Sequence, residues 1–213
     1  MTDKAYYIVL EGLDGTGKTT LFNNLVTLFK ENGIPLQTLC PTRIVNPESL
    51  AEKIYRSNIR FKKNTISRML IFAYRSYLSS NRISWGSSLI LGDRSIIVSY
   101  IKNWRKWLHS RFLTVLLVNT IEPFIRAPDV VLLLSAPDDV IMHRISQKEI
   151  IEIDESLESL LAMKSAYNEL RNTYKIPRLK KTIWIDIDSN KSSEALASEV
   201  YDMLRSKFLN SKI

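Results

Sequence analysis

Cysteine, histidine and long apolar runs are what this chain has least of. Its one cysteine, Cys40, rules out an internal disulfide and a thiolate metal cluster, and suits a reducing, cytoplasmic compartment. The two histidines, His109 and His143, stand apart without metal-ligand spacing and are expected at the surface or packed on helices. No apolar segment approaches a membrane-spanning length of about 20 residues. Thr114–Val118 and Val130–Leu134 are strand- or helix-sized, so no membrane partner is expected. Thr2, Asp3 and Lys4 lead into a run too short for a secretory signal. Repeats, low-complexity tracts and linker-like stretches are missing too. With 213 residues, 45% hydrophobic and 24% charged, the composition suits one α/β domain with a substantial core.

Acidic residues are nearly absent from one long stretch. The net charge is +8, and between Lys53 and Ile121 the only acid is Asp93. The same stretch carries Arg56, Arg60, Lys62, Lys63, Arg68, Arg75, Arg82, Arg94 and Lys102 among its bases. Some of these are plain solvated surface, but a region of this kind suits a concave site for anionic ligands. Aromatic residues suited to base stacking are not interleaved with the charges, so nucleic acid is not the expected partner.

What is present, and most informative, is Gly12-Leu13-Asp14-Gly15-Thr16-Gly17-Lys18-Thr19. It fits the phosphate-loop pattern G-x-x-x-x-G-K-[ST] and sits between a strand and a helix, where the pattern has physical meaning. Ala5–Leu10 is β-branched and aromatic like a buried strand, and Leu21, Leu25, Leu28 and Phe29 then recur at helical spacing. The glycines let successive backbone N–H groups point inward, and the following helix adds its positive end. Lys18 is placed to reach the β- and γ-phosphates of a nucleoside triphosphate, and the Thr19 hydroxyl to ligate Mg²⁺.

Beyond this loop the chain alternates strand and helix. Strands are predicted at Ala5–Leu10, Leu36–Cys40, Ser88–Leu91, Val130–Leu134 and Thr182–Ile187. Helices are predicted near Lys18–Asn32 (stopped by Gly33), Glu48–Arg56 (capped by Asn46) and Thr65–Arg82. Others follow at Val98–Ile121 (one or two), Pro137–Gln147, Glu155–Tyr174 and Ser193–Phe208. On Thr65–Arg82, Ile66, Met69, Leu70, Ala73 and Tyr77 mark one apolar face. Such alternation demands a mostly parallel sheet with helices on both faces and ligands beyond the carboxyl ends of the strands. That rim then holds the phosphate loop, Pro41-Thr42-Arg43 and Asp93-Arg94. A carboxylate at a strand end near the loop can hold Mg²⁺ or orient a nucleophilic phosphate, and the adjacent guanidinium fork can bridge donor and acceptor phosphates.

In these features, in order and over nearly the whole chain, the sequence resembles the thymidylate kinases, a family of P-loop nucleoside monophosphate kinases. Leu10–Thr20 is similar to the family's phosphate loop, Pro41-Thr42-Arg43 to its loop after strand 2, and Leu70–Arg75 to its base-binding helix segment. Leu91-Gly92-Asp93-Arg94 and Pro128–Leu134, with Pro137 and Arg144 beyond, complete the match. The resemblance implies a three-layer P-loop NTPase fold, a five-stranded parallel sheet flanked by helices, in a single domain over 1–213 with a short lid around 145–155. It implies the reaction ATP + dTMP → ADP + dTDP with Mg²⁺, in a cytoplasmic homodimer. Gly12, Leu13, Asp14, Gly15, Thr16, Gly17, Lys18, Thr19 and Thr20 would bind ATP, with Thr19 and Asp93 at the metal. Asp14, Arg43, Phe72, Arg75 and Arg94 would bind the acceptor, the Phe72 ring stacking on the base. Lys18, Asp93, Arg94 and Arg144 would carry the catalytic charge, Arg144 and Lys148 closing from the lid.

The chain also departs from the family. The stacking Phe usually precedes the helix Arg by four positions, where this chain has Ile71; Phe72 precedes Arg75 by three. Ser95 stands where an aromatic usually follows Asp-Arg, and Cys40 where one often flanks the Pro. Beyond Arg144 the lid is acidic, with Glu149, Glu152, Asp154 and Glu155, which leaves Lys148, Arg126 and Arg171 as further sources of positive charge. Two other readings stay open. A deoxynucleoside kinase, or a monophosphate kinase of different base preference, shares the loop. The former needs a carboxylate base after strand 2, where Thr42-Arg43 stands instead. A nucleotide- or nucleic-acid-binding regulator is the reading of another class.

Overall fold

A computed structural model of the chain describes residues 6–86, 89–104, 110–147, 156–173 and 175–209. Five strands, β1 (Tyr7–Gly12), β2 (Leu36–Leu39), β3 (Leu89–Asp93), β4 (Val130–Ser135) and β5 (Ile183–Asp188), form one sheet in the order β2-β3-β1-β4-β5. Every neighbouring pair is parallel. The helices are α1 (Lys18–Glu31), α2 (Leu50–Ser57), α3 (Ile59–Lys63), α4 (Thr65–Ser80) and α5 (Ile96–Asn103). They continue with α6 (Arg111–Ile121), α7 (Asp138–Ser146), α8 (Leu157–Asn168) and α9 (Ser193–Leu204).

The period-two alternation of a strand divides the core into two layers. Ile8 and Leu10 of β1, with Leu91 and Leu132, pack against Leu25 and Phe29 of α1 and Val200 and Leu204 of α9. Tyr7 and Val9, with Ile90 and Val131, face Ile97 and Tyr100 of α5, Val118 of α6 and Tyr167 of α8. β1 is buried along its whole length, and the phosphate loop leaves from its carboxyl end. α1 ends as its sequence predicts. Gly33 takes a left-handed φ of 66°, while its N–H and that of Ile34 bond the Lys30 and Phe29 carbonyls, a Schellman closure.

Several boundaries differ from expectation. The helix expected from Glu48 starts at Leu50: Ser49 caps it by accepting the Glu52 N–H, while Asn46 closes a local turn by accepting the Glu48 N–H. β3 runs on to Asp93 because Gly92 and Asp93 still pair with Val9 and Leu10. Ser95 Oγ caps α5, so that helix starts two residues before the expected Val98. α6 follows as a second, separate helix. On α4 the expected apolar face splits. Met69 and Ala73 are buried with Ile71, but Ile66, Leu70 and Tyr77 are about half exposed, at 50%, 54% and 49%. The helix instead buries Arg75, Ser76, Ser79 and Ser80, and of these Arg75 and Ser76 line a cavity that carries other charged side chains. Lys148 and the acidic residues Glu149 to Glu155 of the expected lid, together with Trp107 and His109, lie outside the described residues.

Candidate active site

The phosphate loop is shaped by positions no other residue fills well. Gly12, Gly15 and Gly17 have φ of 139°, 85° and 83°, all in the region L side chains avoid. A Cβ on Gly12 would sit 2.4 Å from the Leu134 carbonyl oxygen of the paired strand. Inside the loop, Thr16 Oγ1 donates to the Leu13 carbonyl at 2.7 Å, and Lys18 Nζ donates to the same oxygen at 2.6 Å. Lys18 is buried and lies 3.6 Å from Asp14 Oδ1. Burial, reinforced by nearby Arg94, pushes its pKa down to about 8 against the pull of Asp14, Glu11 and Asp93.

Beneath the loop, Glu11 is fully buried and accepts from Ser95 Oγ at 2.7 Å and Tyr167 Oη at 2.9 Å. Burial pushes its carboxyl up, against the opposing hydrogen bonds and the charges of Arg94 and Lys18. Ser95 therefore occupies the aromatic position of the family with a hydroxyl that both caps α5 and anchors Glu11. Arg94 has a φ of 73°, the only positive value outside glycine among the described residues. A bulky residue held there signals a constrained functional position. Its guanidinium pairs with Asp14 Oδ1. Burial works against both charges, yet Arg94 and then Lys18 hold the Asp14 carboxyl well below its usual range, and Asp14 keeps Arg94 charged.

Asp93 gathers the rim. Its Oδ2 accepts from Thr19 Oγ1 and from Arg43 Nη2, both at 3.4 Å, while its buried Oδ1 has no hydrogen-bond partner. One carboxylate with an unfilled oxygen beside a hydroxyl is a hard-oxygen donor set that fits Mg²⁺. Among the described residues no group of three or more Asp, Glu, His or Cys assembles a metal cage, and Mg²⁺ on substrate phosphates needs none.

Beside Arg94 opens a cavity of about 270 Å³, walled by α4 and α5 and lined by Thr42, Arg68, Phe72, Arg75, Lys102 and Glu122 among others. Phe72 is half-buried on this lining and Ile71 points into the core, so the three-residue spacing to Arg75 brings ring and cation together, 5.4 Å apart. Arg75 is locked by Glu52, which accepts from Nε at 2.6 Å and from Nη2 at 2.8 Å. Arg144 extends from the last turn of α7 rather than from the expected lid. It bridges the Gly15 carbonyl at 3.4 Å and the Ser189 carbonyl at 3.2 Å.

Arg126 does not join the site. It pairs with Asp129 at 2.9 Å and lies over Trp85, at the amino end of β4, whereas the loop follows the carboxyl end of β1. Arg171 is engaged by Asp186 of β5. His143 is exposed beside Gln147, as expected of an isolated histidine. Glu11, Glu52, Glu122 and Tyr167 also stand at or behind the site and match no motif in the sequence. The signal for two of them was in plain view: Glu52 and Glu122 bracket the acid-poor stretch, and both are buried.

A glycine-shaped phosphate loop, an Asp-Arg pair at the end of β3 and a cationic cavity meeting at Arg94 define a P-loop phosphotransferase that accepts an anionic substrate. The family model described as thymidylate kinase matches residues 10–200. The thymidylate kinase of Blochmanniella floridana is 30% identical over 206 residues, covering 93% of this chain and 94% of that one. The probable thymidylate kinase of Methanobrevibacter smithii is 29% identical over 163 residues, 73% of this chain and 77% of its own. The solved structure of thymidylate kinase from Candida albicans shares the fold, with a TM-score of 0.65 at 16% identity, over 95% of this chain and 92% of that one. The chain belongs to the thymidylate kinase family.

Proposed function

We propose that this chain transfers the γ-phosphoryl group of ATP to dTMP, giving ADP and dTDP. The observation that carries this reading is Arg94: the guanidinium paired with Asp14 of the phosphate loop also lines the cationic cavity, so donor and acceptor sites meet at one cation. The loop N–H groups, Lys18 and Thr19 hold the donor phosphates. Asp93 and Thr19 would hold Mg²⁺, which neutralises charge on those phosphates when bound. Arg94 and Arg43 hold the acceptor phosphate in line, and Phe72 with Arg75 takes the base. An oxygen of the acceptor phosphate attacks the γ-phosphorus as the bond to the β–γ bridging oxygen breaks, and ADP leaves. That oxygen is already ionised, so no base is required.

A hydroxyl acceptor would need a base, and this disfavours the deoxynucleoside kinase reading. Of the first two carboxylates after β2, Glu48 pairs with Lys53 and Glu52 is committed to Arg75, and neither stands on the cavity lining. Arg144, clamped across the loop, supplies positive charge on the donor side, where an Arg is worth roughly three to five powers of ten in rate. The chain acts as one domain over 1–213 with a lid around 145–155. It pairs as a homodimer through the exposed apolar residues of α4 and α6: Ile66, Leu70 and Tyr77, and Phe112 and Leu116. No helix among the described residues is long and apolar enough to cross a membrane, and the single Cys40 accords with a cytoplasmic location. The test is a coupled ADP-release assay with ATP and Mg²⁺ across dTMP, dUMP, the other deoxynucleoside monophosphates and thymidine. Selective turnover of dTMP is expected, and faster turnover of thymidine than of dTMP refutes the acceptor.

A further inference from the structure

The left-handed backbone of Arg94 is pinned to β1 on both sides. Before the turn, the Arg94 N–H bonds the Leu10 carbonyl at 3.2 Å, and a Cβ on Gly92 would fall 2.8 Å from Val9 Cγ1. After it, Ser95 Oγ accepts the Ile97 N–H at 3.1 Å and donates to Glu11 Oε1 at 2.7 Å. Leu10 and Glu11 are consecutive, so the turn is stapled to one short piece of strand. Glu11 is held from the far side as well. Its Oε2 accepts from Tyr167 Oη of α8 at 2.9 Å, and that hydroxyl receives the Gly12 N–H at 3.4 Å.

Glu11, Ser95 and Tyr167 are 0%, 1% and 5% exposed, so water does not readily replace a lost partner. A buried carboxylate is costly to keep, and a left-handed arginine persists only where its surroundings over-determine it. Both costs meet behind the residue whose guanidinium pairs with Asp14 and lines the cavity. An aromatic residue, usual at position 95 in the family, has no oxygen on Cβ to cap α5 and reach Glu11 at once. We propose that Ser95, Glu11 and Tyr167 are positioning residues for phosphoryl transfer. They hold the Arg94 backbone in its turn and so keep the guanidinium where donor and acceptor phosphates meet. The inference rests on the reading of Arg94 as the cation those two sites share.

Ser95→Ala cuts the tie after Arg94 and leaves every phosphate-loop group in place, while Ser95→Thr restores a hydroxyl. Ser110→Ala is the control: it removes the equivalent cap of α6, where Ser110 Oγ accepts the Leu113 N–H. kcat and the KM values for ATP and dTMP are measured well below the lowest melting temperature. Ser95→Ala is expected to lower kcat/KM for dTMP about 10- to 100-fold, the scale of a misplaced reacting group, with KM for ATP within about threefold of wild type. Ser95→Thr should recover most of that loss, and Ser110→Ala should show none of it. Repeated in an Arg94→Lys background, Ser95→Ala should cost less than about threefold, because its effect passes through Arg94. Tyr167→Phe unties Glu11 from α8 and carries the comparison if Ser95→Ala does not fold; a loss of about 3- to 30-fold is expected. Unchanged kcat/KM, an equal loss in Ser110→Ala, or the same fold-loss in the Arg94→Lys background overturns the inference. Wild-type turnover of another monophosphate overturns the dTMP assignment alone, whereas absence of any turnover overturns the inference with it.

Discussion

Removing Glu52 isolates a bidentate ion pair that stands behind the cavity proposed for the acceptor. Glu52 is 1% exposed, and the Arg75 side chain is 10% exposed. In Glu52→Leu the guanidinium loses two charge-assisted hydrogen bonds of 2.6 and 2.8 Å and keeps only its bond to the Thr42 carbonyl at 3.3 Å, with Phe72 and Tyr55 rings at 5.4 and 5.8 Å. Breaking a buried pair on one side costs about 3–5 kcal/mol, far more than the pair itself contributes. Because Arg75 also lines the cavity, water there can partly rehydrate it, so the lower end, about 3 kcal/mol, is expected. For a chain of this size that lowers Tm by roughly 6–12 °C. Glu52→Leu with Arg75→Met removes both charges and should recover most of the loss. Calorimetry and urea melts on the two variants decide the matter. A Glu52→Leu loss below about 1 kcal/mol, or a double variant no more stable than the single, refutes the argument that an unpaired Arg75 sets the cost.

Gly12→Ala forces a side chain into φ 139° and to within 2.4 Å of the Leu134 carbonyl; it should lose at least about 1–3 kcal/mol and abolish thermal stabilisation by ATP, and normal melting with intact ATP binding would contradict it. With the Lys18 pKa near 8, deprotonation should weaken ATP binding about tenfold between pH 7 and 9, read as a rising KM for ATP; a flat profile refutes it. The sign for stability is opposite, since the unfolded lysine binds its proton more tightly: the Lys18 contribution rises with pH between about 8 and its ordinary value of 10.5. Asp93→Asn keeps shape but removes the charge beside Thr19; kcat should fall about 10²- to 10³-fold with a raised Mg²⁺ requirement and an unchanged circular dichroism spectrum.

The five strands, most of the helices and the phosphate loop were legible in the order of the amino acids. A phosphate loop is local: strand, glycines, Lys-Thr and helix lie within about two dozen residues, so spacing alone reveals it. The five strands and the Schellman end of α1 were legible for the same reason, because burial of a parallel strand and a left-handed glycine leave marks on neighbouring positions. The cavity proposed for the acceptor took shape only through packing. Phe72 and Arg75 are neighbours by their three-residue spacing, but packing of α4 put both on the wall of a cavity, which a stripe of apolar residues including Ile66, Leu70 and Tyr77 did not foretell. Arg126 carries the right charge and stands at the wrong end of the sheet. Glu52 and Glu122 show the reason most clearly. Each carboxylate is buried against residues 23 positions or more away in the chain, and charge compensation over such distances obeys geometry rather than sequence spacing.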